Sequence, residues 1–243
     1  MKSANLYSRK KEVISLLNVS KHYSDVRALD KVNLKIASGE KVALFGANGS
    51  GKSTILNVIN NSASPDTGDI FVFGKKIRYN QIVHRFRMGY LNNPYSFMEN
   101  YTVQDYLRLV GDIKNLVADE EFLGFMTDAL SLDQFLNKRI SGLSTGNKKK
   151  VALLVSMMGK PEVLLLDEPF ANLDSTTVTS LELIISKYLS ECSLLIASHH
   201  LDICLKLCDI FYQLHNGEII RVFYRRDYES NDQLLEHIKR ETV

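Results

Sequence analysis

Short apolar runs separated by turn residues dominate the first part of the chain. They predict β-strands at Val13–Val19, Val32–Ile36 and Lys41–Phe45, because apolar and β-branched runs bounded by polar turns are typical of strands. A helix is predicted to begin near Lys52, since apolar residues follow it at helical spacing. Another strand is predicted at Asp69–Phe73, directly after a turn. The N-terminal part is therefore predicted to be rich in strands.

The middle of the chain changes to a helical pattern. From about Thr102 to Phe135 the sequence predicts helix throughout, because apolar residues recur at intervals of three and four. Thr102 and Asp105 form a pattern typical of a helix N-terminus. This segment is interpreted as a small helical lobe inserted into a strand-rich body.

The second half alternates between helices and short apolar strands. The helices are predicted at Thr145–Met158 and Ser175–Leu189, and the strands at Val163–Leu166 and Ser193–Ala197. Fully apolar strands of this kind are typical of parallel sheets covered on both faces. The alternation therefore predicts an α/β fold. From about Asp227 to Arg240 a charged surface helix is predicted.

Composition narrows the classes of protein that the chain can represent. A length of 243 residues suggests one large domain, or one domain with a lobe. A net charge of +2 gives no sign of nucleic-acid binding. The longest central apolar run, Val151–Met158, is far shorter than the ~18 residues that a membrane span needs. Met1–Lys11 contains no apolar core, so no secretory signal is predicted.

The cysteines argue against both a disulfide framework and a zinc site. There are three, an odd and sparse number that fits a reducing compartment. Cys204 and Cys208 share a predicted helical face with Leu201 and Leu205, and this spacing indicates core packing. No further zinc ligands accompany them.

The strongest motif is a phosphate-binding loop. The run Gly46-Ala47-Asn48-Gly49-Ser50-Gly51-Lys52-Ser53 fits the pattern G-x-x-x-x-G-K-[ST] between a predicted strand and helix, and Thr54 adjoins it. Its glycines allow successive N–H groups to point at phosphate oxygens. Lys52 is expected to reach the β- and γ-phosphates, and the Ser53 hydroxyl is expected to bind Mg²⁺.

Two further patterns supply candidate chemistry. The buried strand at Val163–Leu166 ends in Asp167 and Glu168, which are predicted to hold Mg²⁺ and to act as general base toward a water, respectively. The alternative is an acidic helix N-cap. Ser144 and Gly146 begin a helix and suit a second anion site, with an ordinary helix cap as the alternative.

Together these motifs identify a family. Ser144–Gly146, Asp167-Glu168-Pro169, Leu173-Asp174 and Ser198-His199 have the order and spacing of an ATP-binding cassette (ABC) ATPase, and the resemblance runs from about Val13 to Val222. It implies an α/β P-loop NTPase whose mixed sheet has a parallel core and antiparallel N-terminal strands, with an inserted helical subdomain. The implied division of the single domain 1–243 is a nucleotide-binding core at about 11–91 and 160–223, a helical subdomain at about 95–159 and a C-terminal helix at 224–243.

The resemblance also implies roles for individual residues. Two ATP molecules are expected to lie between two subunits, with Ser144 and Gly146 contacting the γ-phosphate held by the partner's phosphate loop. Asp174 is expected in the loop that links the two sites, and His199 is expected to contact the γ-phosphate. An ordinary N-terminal helix residue with a local hydrogen bond is the alternative for His199.

Other implied positions are less typical of the family. Tyr23 resembles the aromatic residue that stacks on adenine, although a half-buried strand aromatic is the alternative. Asn93 stands where the family usually has a glutamine that senses Mg²⁺ and the attacking water, and asparagine is one methylene shorter. Thr145 and Asn147 also depart from the signature sequence Leu-Ser-Gly-Gly-Gln. ATP hydrolysis with Mg²⁺ is expected to be retained.

The expected function is the ATPase subunit of a transporter, with export favoured over import. Its expected partners are a separate membrane permease and a second ABC ATPase subunit, with a homodimer favoured; no nucleic acid is expected. The expected location is cytoplasmic, peripheral on the inner face of the cell membrane. The alternative is a soluble single-cassette ATPase that assists iron–sulfur cluster assembly. A non-hydrolysing nucleotide-gated module is a third class, against which Lys52, Asp167, Glu168 and His199 argue.

Two surface segments complete the interpretation. The aromatic-rich loop 92–101 suits a partner's anchor helix. Packing between the two lobes is the equally weighted alternative. The lysines at 148–150 are expected to form a solvated helix face.

Overall fold

A six-stranded sheet and a four-stranded sheet form the body of the molecule, with a group of helices inserted between two neighbouring strands of the larger sheet. The computed structural model of the chain describes residues 11–78, 83–116 and 120–242. The strands are β1 (Glu12–Tyr23), β2 (Val26–Ala37), β3 (Lys41–Phe45), β4 (Thr67–Val72), β5 (Lys75–Lys76), β6 (Met88–Leu91), β7 (Val163–Asp167), β8 (Ser193–Ala197), β9 (Ile210–His215) and β10 (Glu218–Tyr224). The α-helices are α1 (Lys52–Ile59), α2 (Val103–Ile113), α3 (Glu120–Ala129), α4 (Thr145–Met157), α5 (Ser175–Leu183), α6 (Leu201–Leu207) and α7 (Asn231–Thr242).

The larger sheet has the order β10-β9-β3-β8-β7-β6. All of its pairs are parallel except β9 with β10. Every residue of β7 and β8 is buried, as their apolar sequences predict. Their side chains alternate between two cores. Leu164 and Leu166 pack with the helical lobe, whereas Val163 and Leu165 pack with α1 and the smaller sheet.

The smaller sheet is antiparallel throughout, with the order β2-β1-β4-β5. The mixed architecture that the resemblance implies is therefore confirmed. Strand β1 extends beyond the predicted Val13–Val19 and reaches Tyr23, passing register shifts between Leu16 and Lys21. Asn18 there adopts a left-handed conformation with φ of 52°, which suits a bulge. The apolar pattern stops at Val19 because the next three residues of β1 are polar.

The prediction of continuous helix from Thr102 to Phe135 is wrong. Helix α2 ends at Ile113, and Asn115 has φ of 50°, a left-handed conformation that terminates helices. Residues 117–119, which fall inside the predicted helix, lie outside the described residues. The predicted start is confirmed, because Thr102 Oγ1 accepts a hydrogen bond from Asp105 N at 3.1 Å and donates one to Asp105 Oδ2 at 2.7 Å.

Several elements were not anticipated from the sequence. Strands β6, β9 and β10 complete the larger sheet, and the C-terminal helix begins at Asn231 rather than near Asp227. Cys204 and Cys208 are buried, free cysteines beside Leu205, so their predicted core packing is confirmed. Within the described ranges, no helix is both long and apolar enough to cross a membrane. Residues 1–10, in which the sequence predicts no secretory signal, lie outside the described residues.

Candidate active site

The predicted phosphate loop lies between β3 and α1, with other backbone segments pressed against it. A Cβ atom on Gly46 would lie 2.2 Å from the carbonyl oxygen of Leu214, which no side chain tolerates. Gly51 has φ of 108°, and a Cβ there would approach the carbonyl oxygen of Ala28 to 2.6 Å. These two positions therefore require glycine, which fixes the path of the loop.

The end of the loop is suited to an anion. No side chain in the described part of the protein caps α1, and its first turn contains no acidic residue. Its amide groups and the positive end of the helix dipole are therefore available to phosphate. Lys52 is buried, and its Nζ donates to the carbonyl oxygens of Gly46 at 2.9 Å and Ala47 at 3.1 Å. The ammonium group therefore contacts the backbone of the loop that would bind the phosphates.

Asp167 ends β7 and is only 3% exposed. Burial raises its pKa, a hydrogen bond from the Ser53 hydroxyl to its carboxylate lowers it, and the neighbouring charge of Glu168 raises it. Its Oδ1 has no hydrogen-bond partner within the described residues. A buried carboxylate oxygen without a partner, beside a serine hydroxyl, is the donor set that Mg²⁺ prefers. The residues present therefore fit a magnesium ion.

Both the backbone and the side chain of Glu168 contact neighbouring residues. Its amide donates to Ala197 O at 2.8 Å, and its Oε2 lies 2.9 Å from Nδ1 of His199 and 3.4 Å from Oγ of Ser198. Its φ of 46° is left-handed, which is unusual for a residue other than glycine and typical of functional sites. His199 therefore contacts a carboxylate that is far from it in the sequence. The alternative interpretation expects a local hydrogen bond instead. Its ring also lies against that of His200, with centroids 4.1 Å apart.

Asn93 shares a cavity with the acidic end of β7. The cavity has a volume of about 290 Å³, and its walls include Asn93, Asp167, Thr145 and Lys149. The structure therefore brings the amide of Asn93 and the carboxylate of Asp167 to the same cavity. It also brings the signature sequence to the same wall, since the Tyr95 hydroxyl donates to the carbonyl oxygen of Thr145 at 2.9 Å.

The signature residues and Asp174 both begin helices. Ser144 Oγ accepts a hydrogen bond from Asn147 N at 3.3 Å, so the helix-cap interpretation describes its local contact. Gly146 lies in the first turn of the same helix. Asp174 caps α5 by accepting from Thr177 N at 2.8 Å. Hydrogen bonds from the Thr176 hydroxyl and from Thr177 lower the pKa of Asp174.

Tyr23 stands at the end of β1 with 45% of its surface exposed. The Lys21 ammonium lies 5.3 Å from its ring centroid. The ring is therefore accessible enough to stack on a planar ligand, although it does belong to a strand, as the alternative interpretation holds.

The expectation that residues 148–150 form a solvated face is wrong. Lys149 is only 7% exposed, and its Nζ donates to the carbonyl oxygens of Glu168 at 2.6 Å and Ala171 at 2.5 Å. Burial lowers the pKa of Lys149 to about 8. Lys148 pairs with Glu99 at 2.8 Å. The one sequence signal for this burial is that Lys149 precedes buried residues at intervals of three, four and seven, namely Ala152, Leu153 and Ser156.

The aromatic loop 92–101 has features of both interpretations, namely packing between the lobes and a surface for a partner. Phe97 packs inside the lobe, with ring centroids 5.5 Å from Tyr95 and 5.6 Å from Tyr106. Met98 and Tyr101 remain 53% and 41% exposed. Part of the loop is thus internal packing, and part presents apolar surface to solvent.

The chain resembles known proteins along most of its length. The sequence model described as ABC transporter matches residues 29–171. A putative ABC transporter ATP-binding protein of Archaeoglobus fulgidus is 34% identical over 236 residues, covering 93% of this chain and 96% of the relative. A solved ATP-binding subunit of an ABC transporter superimposes with a TM-score of 0.84 at 25% identity, covering 95% of this chain and 99% of that one. A dimeric structure of a bacterial ABC transporter cassette gives a TM-score of 0.76 at 25% identity, covering 88% and 100%.

Two other relatives have names that specify different systems. The lipoprotein-releasing system ATP-binding protein LolD of Rickettsia bellii is 28% identical over 217 residues, covering 86% of this chain and 97% of the relative. The phosphonates import ATP-binding protein PhnC of Treponema denticola is 30% identical over 230 residues, covering 86% and 88%. One name thus specifies release and the other import.

Proposed function

The chain belongs to the ABC transporter family as an ATP-binding subunit with ATPase activity, and from that premise we propose that Lys52, Glu168 and His199 are its catalytic residues. The observation that carries this proposal is the contact between Oε2 of Glu168 and Nδ1 of His199 at 2.9 Å. Glu168 directly follows the buried Asp167 in the sequence. A carboxylate held in this way can accept a proton from a water, and the γ-phosphorus of an ATP bound in the phosphate loop would be the electrophile.

The phosphate loop binds ATP in this proposal. The backbone of Gly46, Ala47, Asn48, Gly49, Ser50 and Gly51, together with Thr54, surrounds the phosphates, and Lys52 neutralises the β- and γ-phosphates. Ser53, Asp167 and Asn93 are the proposed Mg²⁺ ligands. The ion, when bound, supplies positive charge to the phosphate oxygens. Tyr23 stacks on the adenine ring.

Glu168 performs the proton transfer. A water oxygen attacks the γ-phosphorus while the Glu168 carboxylate accepts the proton from that water, and the bond to the oxygen of the leaving ADP breaks. His199, with a proton on Nδ1, keeps the carboxylate in place and also contacts the γ-phosphate of bound ATP. Asn93 retains an amide toward the water with a shorter reach, which predicts slower hydrolysis than a glutamine would give.

Two subunits complete each site in this proposal. Ser144 and Gly146 begin α4, where the helix dipole favours an anion, and they would contact the γ-phosphate bound by the second subunit. Asp174 lies in the loop between the two sites. A second copy of this chain is the proposed partner, since two copies give two equivalent closed sites. The mass of Glu168→Gln protein in light scattering should double on adding ATP, and a persistent monomer would contradict the homodimer.

A separate membrane permease is the other proposed partner, which places the protein at the inner face of the cell membrane. The exposed apolar side chains of Met98 and Tyr101 support this, because such residues suit a partner's helix. We propose export rather than import, because the variant signature sequence and the basic helix that follows it resemble those of exporter ATPases. Replacing Met98 by Ser should weaken the permease complex and leave ATP binding unchanged.

The partner can be captured directly. Tagged Glu168→Gln protein with ATP would be incubated with detergent-solubilised membranes of the source cells, and the retained proteins identified by mass spectrometry. A polytopic membrane protein in stoichiometric amount is expected. Soluble partners alone would instead support the iron–sulfur assembly alternative, which the comparisons do not favour.

A further inference from the structure

A buried lysine connects the signature helix to the turn that contains Glu168. Lys149 lies in the second turn of α4, and its ammonium donates to the carbonyl oxygens of Glu168 at 2.6 Å and Ala171 at 2.5 Å. A buried charge is costly unless hydrogen bonds compensate it. Both carbonyl groups belong to the turn directly after β7, so this contact fixes the turn relative to α4.

The turn needs such an external contact. Glu168 adopts a left-handed backbone conformation with φ of 46°, which is unfavourable for a residue with a side chain and persists only where its surroundings enforce it. Ala197 holds its amide at 2.8 Å, and Lys149 holds its carbonyl. The peptide groups on both sides of the Glu168 Cα are thereby fixed, which sets the direction of its side chain toward His199.

A second lysine makes a parallel connection. Lys150 Nζ lies 3.5 Å from Oδ2 of Asp174, which caps α5 a few residues after the same turn. The start of α4 therefore contacts the segment 168–174 at both of its ends. A displacement of α4 would be transmitted to that segment.

We propose that Lys149 is a positioning residue for hydrolysis: it holds the Glu168 backbone in the productive conformation and links it to the helix that presents Ser144 and Gly146. The proposal rests on the proposed function, in which Glu168 is the general base. In each subunit, α4 thus has two roles. It contacts the nucleotide bound by the partner, and it positions the general base of its own subunit.

Two substitutions at position 149 and one matched control test this role. Lys149→Met keeps the length and removes the ammonium group, so both carbonyl groups lose their donor. Lys149→Arg keeps a donor for both, and the adjoining cavity of about 290 Å³ leaves room for its larger head. Lys148→Met makes the same change one residue earlier, where the ammonium pairs with the exposed Glu99.

The measurements are the steady-state kcat and KM for ATP, and equilibrium binding of a non-hydrolysable ATP analogue. For Lys149→Met we expect kcat to fall about 10- to 100-fold, since a misplaced catalytic group can cost that much. KM and analogue affinity should stay within about twofold, because ground-state binding is not altered. Lys149→Arg should recover most of kcat, and Lys148→Met should match the unchanged protein.

The contrary outcomes are distinct. Unchanged kcat in Lys149→Met overturns the proposal, and so does a parallel loss of analogue affinity, which would indicate general structural damage. If Lys149→Met does not fold, a folded Lys149→Arg with kcat lowered about tenfold or more overturns it, because its donors are kept. Equal hydrolysis by the unchanged protein and Glu168→Gln would instead overturn the proposed site, and this inference with it.

Discussion

Oε2 of Glu168 lies 2.9 Å from Nδ1 of His199, although the two residues are distant in sequence. The register of the sheet produces this contact. Strands β7 and β8 are parallel neighbours, and Asp167 pairs with Ala197, so the residues that follow each strand leave the same edge together. Ligands bind at the carboxyl ends of strands in sheets of this kind. The contact therefore lies where chemistry is expected.

Replacing His199 tests the contribution of this contact. In His199→Ala, Glu168 loses the nearer of the two side-chain contacts described for its carboxylate. We expect kcat to fall about 10- to 100-fold, as for other misplaced catalytic groups. His200→Ala is the matched control, since the contact found for its ring within the described residues is with His199 and not with Glu168. Steady-state ATPase assays of both variants provide the measurement. An equal fall in both variants would contradict a specific role for His199.

Replacing Asp167 tests the magnesium site without relying on activity. In the unchanged protein, Mg²⁺ should raise the unfolding temperature in the presence of ADP, and a chelator should reverse the rise, because a ligand that binds the folded state stabilises it. In Asp167→Asn this magnesium-dependent rise should disappear. Asp202→Asn, an exposed aspartate on α6, is the control and should retain it. Persistence of the rise in Asp167→Asn would contradict the assignment.

Tyr23 can be tested by nucleotide affinity. Stacking on a base contributes about 1–3 kcal/mol in other proteins, so Tyr23→Ala should weaken ATP binding about tenfold, which corresponds to about 1.4 kcal/mol. Tyr23→Phe should bind normally, because it keeps the ring. Fluorescence titration with an ATP analogue provides the affinity. Equal affinity of the alanine and phenylalanine variants would assign Tyr23 to the strand alone.

The cap of α5 predicts a pH-dependent stability. Hydrogen bonds from Thr176 and Thr177 lower the pKa of Asp174 in the folded state. Its stabilising effect is therefore complete above the unfolded-state pKa of about 3.9 and is lost as pH falls through the folded-state pKa. Asp174→Ala should lower the free energy of unfolding by about 1 kcal/mol at neutral pH.

The difference in the free energy of unfolding between the unchanged protein and Asp174→Ala should become smaller in acid. Asn is an equally good cap without a titrating group, so the stability of Asp174→Asn relative to Asp174→Ala should be independent of pH at this site. Urea unfolding at neutral pH and near pH 3 measures both differences. A constant difference between the unchanged protein and Asp174→Ala would contradict the role of the carboxylate charge.

Local patterns predicted the parts of the fold that local interactions determine. Strand β3, the phosphate loop and the start of α1 form a continuous segment, and the structure has them at the predicted residues. The cap at Thr102 was also correct, because a cap involves residues only three apart. The sequence nevertheless predicts helix through Asn115, because apolar periodicity gives no sign that this residue adopts a left-handed conformation.

Distant contacts could not be predicted in this way. The sequence predicts Lys149 as part of a solvated basic run, whereas its burial depends on two carbonyl groups about twenty residues later in the chain. Strand β9 also pairs with β3, which lies far away in the sequence. Strand β10, however, pairs with β9 across the two-residue turn Asn216-Gly217, so this hairpin has a local sequence signal that the strand prediction omits. The resemblance implies separate roles for Glu168 and His199 at the γ-phosphate, and their direct contact is found only in the structure.

Hydrolysis by Glu168→Gln tests the central claim most directly. The amide keeps the shape of the side chain and cannot accept the proton from water. Single-turnover hydrolysis of ATP by the unchanged protein and by Glu168→Gln would be measured together with ATP affinity. We predict that affinity is retained and that the rate of hydrolysis falls at least about 100-fold, within the range for loss of a general base. Equal rates in the two proteins would contradict the account.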